Sequence, residues 1–215
     1  MDNLKGNLVV GQSGGPTAVI NSSVCGVVQE ALCHDHIGEI YGMHHGILGL
    51  IHEDLFDLRR EDPAMIAGLR RTPSSALGSC RHKMDDNDCE RILQVCQSHN
   101  IHYFMYIGGG DSMDTADKIF LAAAENNFDM RVFGIPKTID NDLPITDHCP
   151  GYGSAARFEA MTCSEIVRDT IALRHTEFIK IFETMGRNTG WLAASTALAG
   201  EFALDLIYLP ERSFI

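Results

Sequence analysis

The chain of 215 residues has no Cys-x-x-Cys pair and no zinc-type spacing among its seven cysteines, an odd number. Neither a structural zinc site nor a closed disulfide framework is indicated, so free thiols in a reducing compartment are expected. Positive charge is scarce: 17 Lys and Arg against 29 Asp and Glu leave a formal net charge of -12. That balance argues against a nucleic-acid partner, because phosphate backbones are bound through an excess of Lys and Arg. A small phosphate ligand would need a local positive island. Met1-Asp2-Asn3-Leu4-Lys5 contains no apolar run, so no secretory leader is expected and the protein is placed in the cytoplasm. The most apolar long stretch, residues 192–209, is interrupted by Gly200, Glu201 and Asp205 and reads as a helix, a turn and a strand, not a membrane span. Ten histidines include His34-x-His36 and His44-His45. Neither pair has the i, i+4 spacing or a nearby carboxylate that a metal site needs, so both read as surface or turn histidines.

What is present is the alternation of an α/β protein. Hydrophobic residues at 45% and charged residues at 21% are ordinary globular values, and the length suits one large domain or one domain and part of a second. Apolar runs alternate with 3.6-period segments, the pattern of a Rossmann-like, mostly parallel sheet covered by helices. Strands are expected at 7–10, 39–43, 102–107, 131–135 and 178–183. The strand at 131–135 reads as short and buried, stopped by Pro136, which cannot donate to a ladder. Helices are expected after the first strand, with Ile20, Val24, Val27, Val28 and Ala31 on one face, and over 63–70, 86–99, 112–126 and from Gly153 to about 173. Cys89 and Cys96 fall on one face of the 86–99 helix and read as core packing. Residues 46–50 are glycine-spaced and fit neither pattern. A boundary is expected within 143–153, where Pro and Gly cluster, giving lobes at 1–145 and 146–215. About 65 residues then remain, too few for an ordinary α/β domain, so the second lobe is expected to be incomplete.

Five loops carry chemistry. Gly11-Gln12-Ser13-Gly14-Gly15-Pro16-Thr17 lies between a strand and a helix, where adjacent glycines let amides converge on an anion; a plain tight turn explains it equally well. Gly108-Gly109-Gly110-Asp111-Ser112 repeats the arrangement, with Asp111 readable as a helix N-cap. A bare carboxylate in a phosphate site would need a metal or a lysine beside it. Arg81 follows a small-residue turn and Arg187 follows Met185-Gly186, positions where a guanidinium fork suits phosphate oxygens. The richest segment is Pro136-Lys137-Thr138-Ile139-Asp140-Asn141-Asp142, a lysine, a hydroxyl and two carboxylates at a strand's carboxyl end, where open α/β sheets collect ligands.

With Ser13-Gly14-Gly15, Leu77-Gly78-Ser79-x-Arg81, Gly108-Gly109-x-Asp111-Ser112, the 136–142 segment and Met185-Gly186-Arg187 in this order, the chain resembles the first half of the phosphofructokinase family. Asp111 and Lys137 stand as in its pyrophosphate-using members, where ATP-using members carry Gly at both positions. The resemblance implies reversible phosphoryl transfer from pyrophosphate to the 1-hydroxyl of fructose 6-phosphate with Mg²⁺, a glycolytic step. Asp140, Lys137 and Asp111 are the implied catalytic residues, with Asp140 the general base. Gly14, Gly15, Arg81, Gly109, Gly110 and Lys137 would hold pyrophosphate; Thr138, Asp140, Asp142, Met185, Gly186 and Arg187 would hold the sugar phosphate. Metal contact would fall to Asp111 and, through backbone or water, to Gly110, which replaces the family's usual aspartate. Phe178 stands where bacterial ATP-using members place an arginine, with Lys180 nearby. A homo-oligomer, dimer or tetramer, is implied for the full-length protein. Three alternatives stay open: an ATP-dependent member, an inactive or binding-only fragment, and an NAD enzyme like the iron-dependent alcohol dehydrogenases, whose glycine loop 108–114 resembles.

Overall fold

Apolar residues sit on both faces of the first strand: Leu8 and Val10 point one way and Val9 the other, and all three are buried. Such a strand is stable only with helices on both sides, the condition of a parallel sheet. In the computed structural model of the chain, which describes residues 4–200 and 204–213 apart from the Asp86 side chain, that condition is met. The chain runs through β1 (Gly6–Gln12), α1 (Ala18–Ala31), β2 (Ile37–Met43), α2 (Ile47–Ile51), β3 (Leu55–Asp57), α3 (Pro63–Gly68), α4 (Asp86–Ser98), β4 (Ile101–Gly108), α5 (Gly110–Glu125) and β5 (Arg131–Pro136). The sheet order is β3-β2-β1-β4-β5, parallel except for the antiparallel β3.

One face of the sheet packs Val9, Phe104 and Tyr106 under α2, α4 and α5, with Ile47, Leu50, Ile92, Cys96 and Ile119 completing the cluster. The other packs Leu8, Val10 and Ile107 against Ile20, Val24 and Val28 of α1. Each such side chain contributes about 1.5–3 kcal/mol on burial. Cys96 is fully buried, and burial pushes its thiol up to about 12, while Cys89 is half-buried against the same cluster. None of the seven cysteines is joined in a disulfide.

The described chain separates into two compact units, Met1–Lys137 and Thr138–Ile215, dividing after Lys137 and ahead of the 143–153 segment. Within the second unit, α6 (Tyr152–Ala172) is followed by α7 (Trp191–Ser195) and a 3-10 turn, Thr196–Ala199. Ser195 Oγ donates to the Ala156 carbonyl of α6 at 3.4 Å, and Leu192, Ala156 and Cys163 are buried.

Three sequence expectations need correction. Strand β5 is not a buried strand: it pairs with β4 alone among the described residues, and Phe133 is 53% exposed at the sheet edge. Residues 178–183 form no strand, because no ladder partner lies within the described residues, and Phe178, Ile179 and Ile181 are exposed. Residues 204–209 are likewise without a strand, while 201–203 of that apolar stretch lie outside the described residues. No helix among the described residues is long and apolar enough to cross a membrane.

Candidate functional site

The strand order reverses beside β1: the chain adds β2 and β3 on one side, then returns to lay β4 and β5 on the other. Open α/β sheets have their ligand crevice at such a switch point, outside the carboxyl ends of the strands. The registers Gln12↔Ile107 and Gly108↔Pro136 bring the ends of β1, β4 and β5 level. Their three loops are stitched together, Ser13 N donating to the Ile107 carbonyl at 2.9 Å and Lys137 N to the Gly108 carbonyl at 2.8 Å. The first unit therefore gathers Gly14, Gly15, Gly109, Gly110, Asp111 and Lys137 along one edge.

Lys137 is only 4% exposed, and its ammonium donates to the Gly15 carbonyl at 2.7 Å. A buried ammonium is tolerated only when hydrogen-bonded, so the glycine loop and the lysine hold each other. Gly14 takes a left-handed φ of 77°, and its N–H donates to the Cys80 carbonyl at 3.3 Å. One amide of the expected anion nest is thus spent on binding residues 78–81, whose exposed Arg81 lines a cavity of about 410 Å³ with Gly14, Pro16, His45, Ser75, Gly78 and Ser79. Beneath the loop, burial pushes the Tyr106 phenol well above its usual value; it stays neutral and accepts from Ile47 N at 3.3 Å. Asp111 is not the N-cap of α5: Gly109 holds that place, and Asp111 is exposed in the first turn. A carboxylate there is favoured by the helix dipole without making a cap.

In the second unit, the main chain of Asp140 is held at both ends. Its N–H donates to Thr138 Oγ1 at 3.1 Å, and its carbonyl accepts from Thr189 Oγ1 at 2.7 Å. Asp140 Oδ1 is shielded from solvent, whereas Asp142 is exposed. Between them, Asn141 is 6% exposed with a left-handed φ of 55°. Its amide donates to the Asp147 carbonyl at 3.1 Å and accepts from Cys149 N at 2.7 Å, closing the 141–149 loop. Thr189 ties the Met185-Gly186-Arg187 turn to this segment. Gly186 has φ 106°, and a Cβ there would lie 2.5 Å from the Thr189 carbonyl, so the turn requires glycine. Met185 and Arg187 are exposed. Asn141, Asp142, Thr146, Asp147, Thr189 and Trp191 line a cavity of about 430 Å³. Sequence reasoning missed Thr189, a lone threonine past the motif, and the anchoring role of Asn141 inside it.

No group of three or more His, Cys, Asp or Glu that could hold a metal occurs among the described residues. The histidine pairs do have carboxylates nearby, contrary to the sequence reading: His34 Nε2 lies 3.0 Å from Glu30 and His44 Nδ1 2.8 Å from Asp54. Each is a hydrogen-bonded contact to one carboxylate at the surface. Lys180 is held by Glu177 at 2.6 Å, which raises its pKa, and Phe178 is 81% exposed.

The phosphofructokinase family model matches residues 7–215. A pyrophosphate–fructose 6-phosphate 1-phosphotransferase of Rhodospirillum rubrum is 46% identical over 213 residues, covering 98% of this chain and 52% of the relative. Its namesake in Halomonas elongata is 43% identical over 218 residues, covering 97% and 52%. The crystal structure of the pyrophosphate-dependent phosphofructokinase of Marinobacter aquaeolei superposes with a TM-score of 0.88 at 44% identity, covering 98% of this chain and 54% of that one. The chain spans about half the length of the curated relatives it matches. Its strand-end loops, its fold and its match along nearly its whole length agree, and the chain belongs to the phosphofructokinase family.

Proposed function

We propose that the protein of which this chain forms part transfers a phosphoryl group reversibly between pyrophosphate and the 1-hydroxyl of fructose 6-phosphate. The observation that carries the reading is Lys137, a buried ammonium bonded to the carbonyl of Gly15 at the sheet's switch point. A cation fixed under a glycine loop neutralises charge on a bound diphosphate without reorganising. Asp111, exposed in the first turn of α5, places negative charge and bulk where a longer polyphosphate chain would continue, which disfavours ATP. Gly14, Gly15, Gly109, Gly110 and Arg81 hold the donor. In the second unit Thr138, Asp142, Met185, Gly186 and Arg187 hold the sugar phosphate, and Asp140 accepts the proton of the attacking hydroxyl. The full-length protein assembles as a homo-oligomer in the cytoplasm.

The donor set suits a magnesium ion carried by phosphate: one exposed carboxylate, Asp111, with backbone oxygens beside it, and no protein cage among the described residues. Asp111 and the Gly110 backbone, directly or through water, would hold Mg²⁺, which supplies further neutralisation of the diphosphate when bound.

The cavity beside Arg81 favours a second reading, an ATP-using enzyme, because about 410 Å³ falls within the range of small organic ligands. Assay of the full-length protein with each donor decides between them. Fructose 1,6-bisphosphate is expected with pyrophosphate and negligibly with ATP; the reverse preference overturns the donor assignment.

A further inference from the structure

Two buried amides stand outside the roles assigned so far. Gln12 ends β1 and Asn21 lies in the first turns of α1, so they bracket the glycine loop, and both are fully buried. Gln12 Nε2 donates to Asn21 Oδ1 at 2.8 Å. Among the described residues, everything else these side chains bind belongs to residues 72–77. Gln12 Oε1 accepts from Ser75 Oγ at 2.7 Å and from Leu77 N at 2.9 Å. Asn21 Oδ1 accepts from Ala76 N at 2.8 Å, and its Nδ2 donates to the carbonyls of Thr72 at 2.8 Å and Ser74 at 3.0 Å.

Residues 72–77 form no helix or strand that could hold them in place. They also carry a left-handed Ser74, φ 64°, and lead into Gly78, φ 74°, where a Cβ would meet the His45 ring at 2.5 Å. A segment bent in this way keeps one shape only when its polar groups are fixed from outside. The next residues bear on the donor site: Ser79 Oγ donates to the Gly14 carbonyl at 2.6 Å, and Arg81 follows. A buried amide pair with every partner in one segment sets position where a hydrophobic contact would leave slack.

We propose that Gln12 and Asn21 are positioning residues for the donor, fixing residues 72–77 so that Ser79 and Arg81 stand at one place against the glycine loop. The proposal rests on the reading of Arg81 as a phosphate ligand. It makes two loops far apart in sequence one rigid body, with the amide pair as the rivet.

The test uses the full-length enzyme and five variants: Gln12→Leu, Ser75→Ala, Ser75→Thr, Arg81→Ala and the double variant Gln12→Leu with Arg81→Ala. The expected result is a KM for pyrophosphate raised about 10- to 100-fold in Gln12→Leu, the scale of a small misplacement in a site. Ser75→Ala moves the same way by less, Ser75→Thr restores the hydroxyl and the affinity, and the KM for fructose 6-phosphate stays within about twofold throughout. In the Arg81→Ala background the Gln12→Leu change adds nothing further to the pyrophosphate KM, a non-additivity that general loosening of the fold does not produce. Folded variants with unchanged pyrophosphate KM, or with equal effects with and without Arg81, overturn the proposal. Should Gln12→Leu not fold, Ser75→Ala and its threonine rescue decide by the same criteria. Should the wild type not use pyrophosphate, the donor reading fails separately; amide hydrogen exchange at Ala76 and Leu77 then judges the clamp. Faster exchange at both in Ser75→Ala supports it, and unchanged protection overturns it.

Discussion

Asp140, the proposed general base, and Asn141, a loop anchor, are neighbours that substitutions separate. Asp140 has its main chain fixed by Thr138 and Thr189, which leaves the carboxylate a defined place from which to accept a proton. Replacing it with Ala is expected to lower turnover about 10²–10⁴-fold with little change in either KM, since a general base acts in the transition state. Steady-state kinetics of the full-length variant checks this, and near-normal turnover removes Asp140 as base. Asn141 instead carries the 141–149 loop on two hydrogen bonds from a buried amide. Asn141→Ala strands the Asp147 carbonyl and the Cys149 amide and is expected to cost about 1–3 kcal/mol, measured by urea unfolding. Sequence alone proposed Asp140 as base, through its motif and the family resemblance. The anchoring by Asn141 was hidden because its partners lie beyond the motif.

Among the elements, long periodic ones and the proline-started α3 were legible, while β3 and α2 were not. Helices α1, α4, α5 and α6 fall within a few residues of expectation because their apolar faces repeat over three turns or more. Strand β3, three residues long, and α2, five residues long, are too short to show a period and exist through tertiary pairing. Misreading β5 as buried has the same root, since an apolar run does not tell whether a neighbouring strand covers its far side. Helix α4 opens on a capping box, Asp85 accepting from Asp88 N at 2.9 Å and Asp88 from Asp85 N at 3.1 Å. Asp85→Ala is expected to lower stability by about 1 kcal/mol. The hydrogen bond from His82 holds the Asp88 carboxyl below its usual pKa. A depressed carboxylate contributes above the unfolded pKa, and the contribution fades as pH falls through the folded value. Asp88→Asn is therefore expected to flatten the acid limb of the stability profile, read from urea midpoints between neutral and acidic pH.

On the scale of the molecule, the two units differ in how much of themselves they bury. The first encloses two apolar clusters on the faces of its sheet, while the second leaves Phe178, Ile179, Ile181 and Leu198 each about four-fifths exposed. Limited proteolysis of this chain with trypsin is expected to cut first at Arg174, Lys180 and Arg187, which are exposed in backbone without helix or strand, and to spare β1 to β5. Early cleavage inside the sheet would contradict that order. The bond from Lys137 to Gly15 spans 122 positions of sequence. Contacts of such range form late, because chain closure must precede any gain. On a ribosome, the glycine loop leaves the tunnel 122 positions ahead of its cation, so the bond between them must wait until the chain through β5 has been synthesised and is among the last contacts of the sheet to mature.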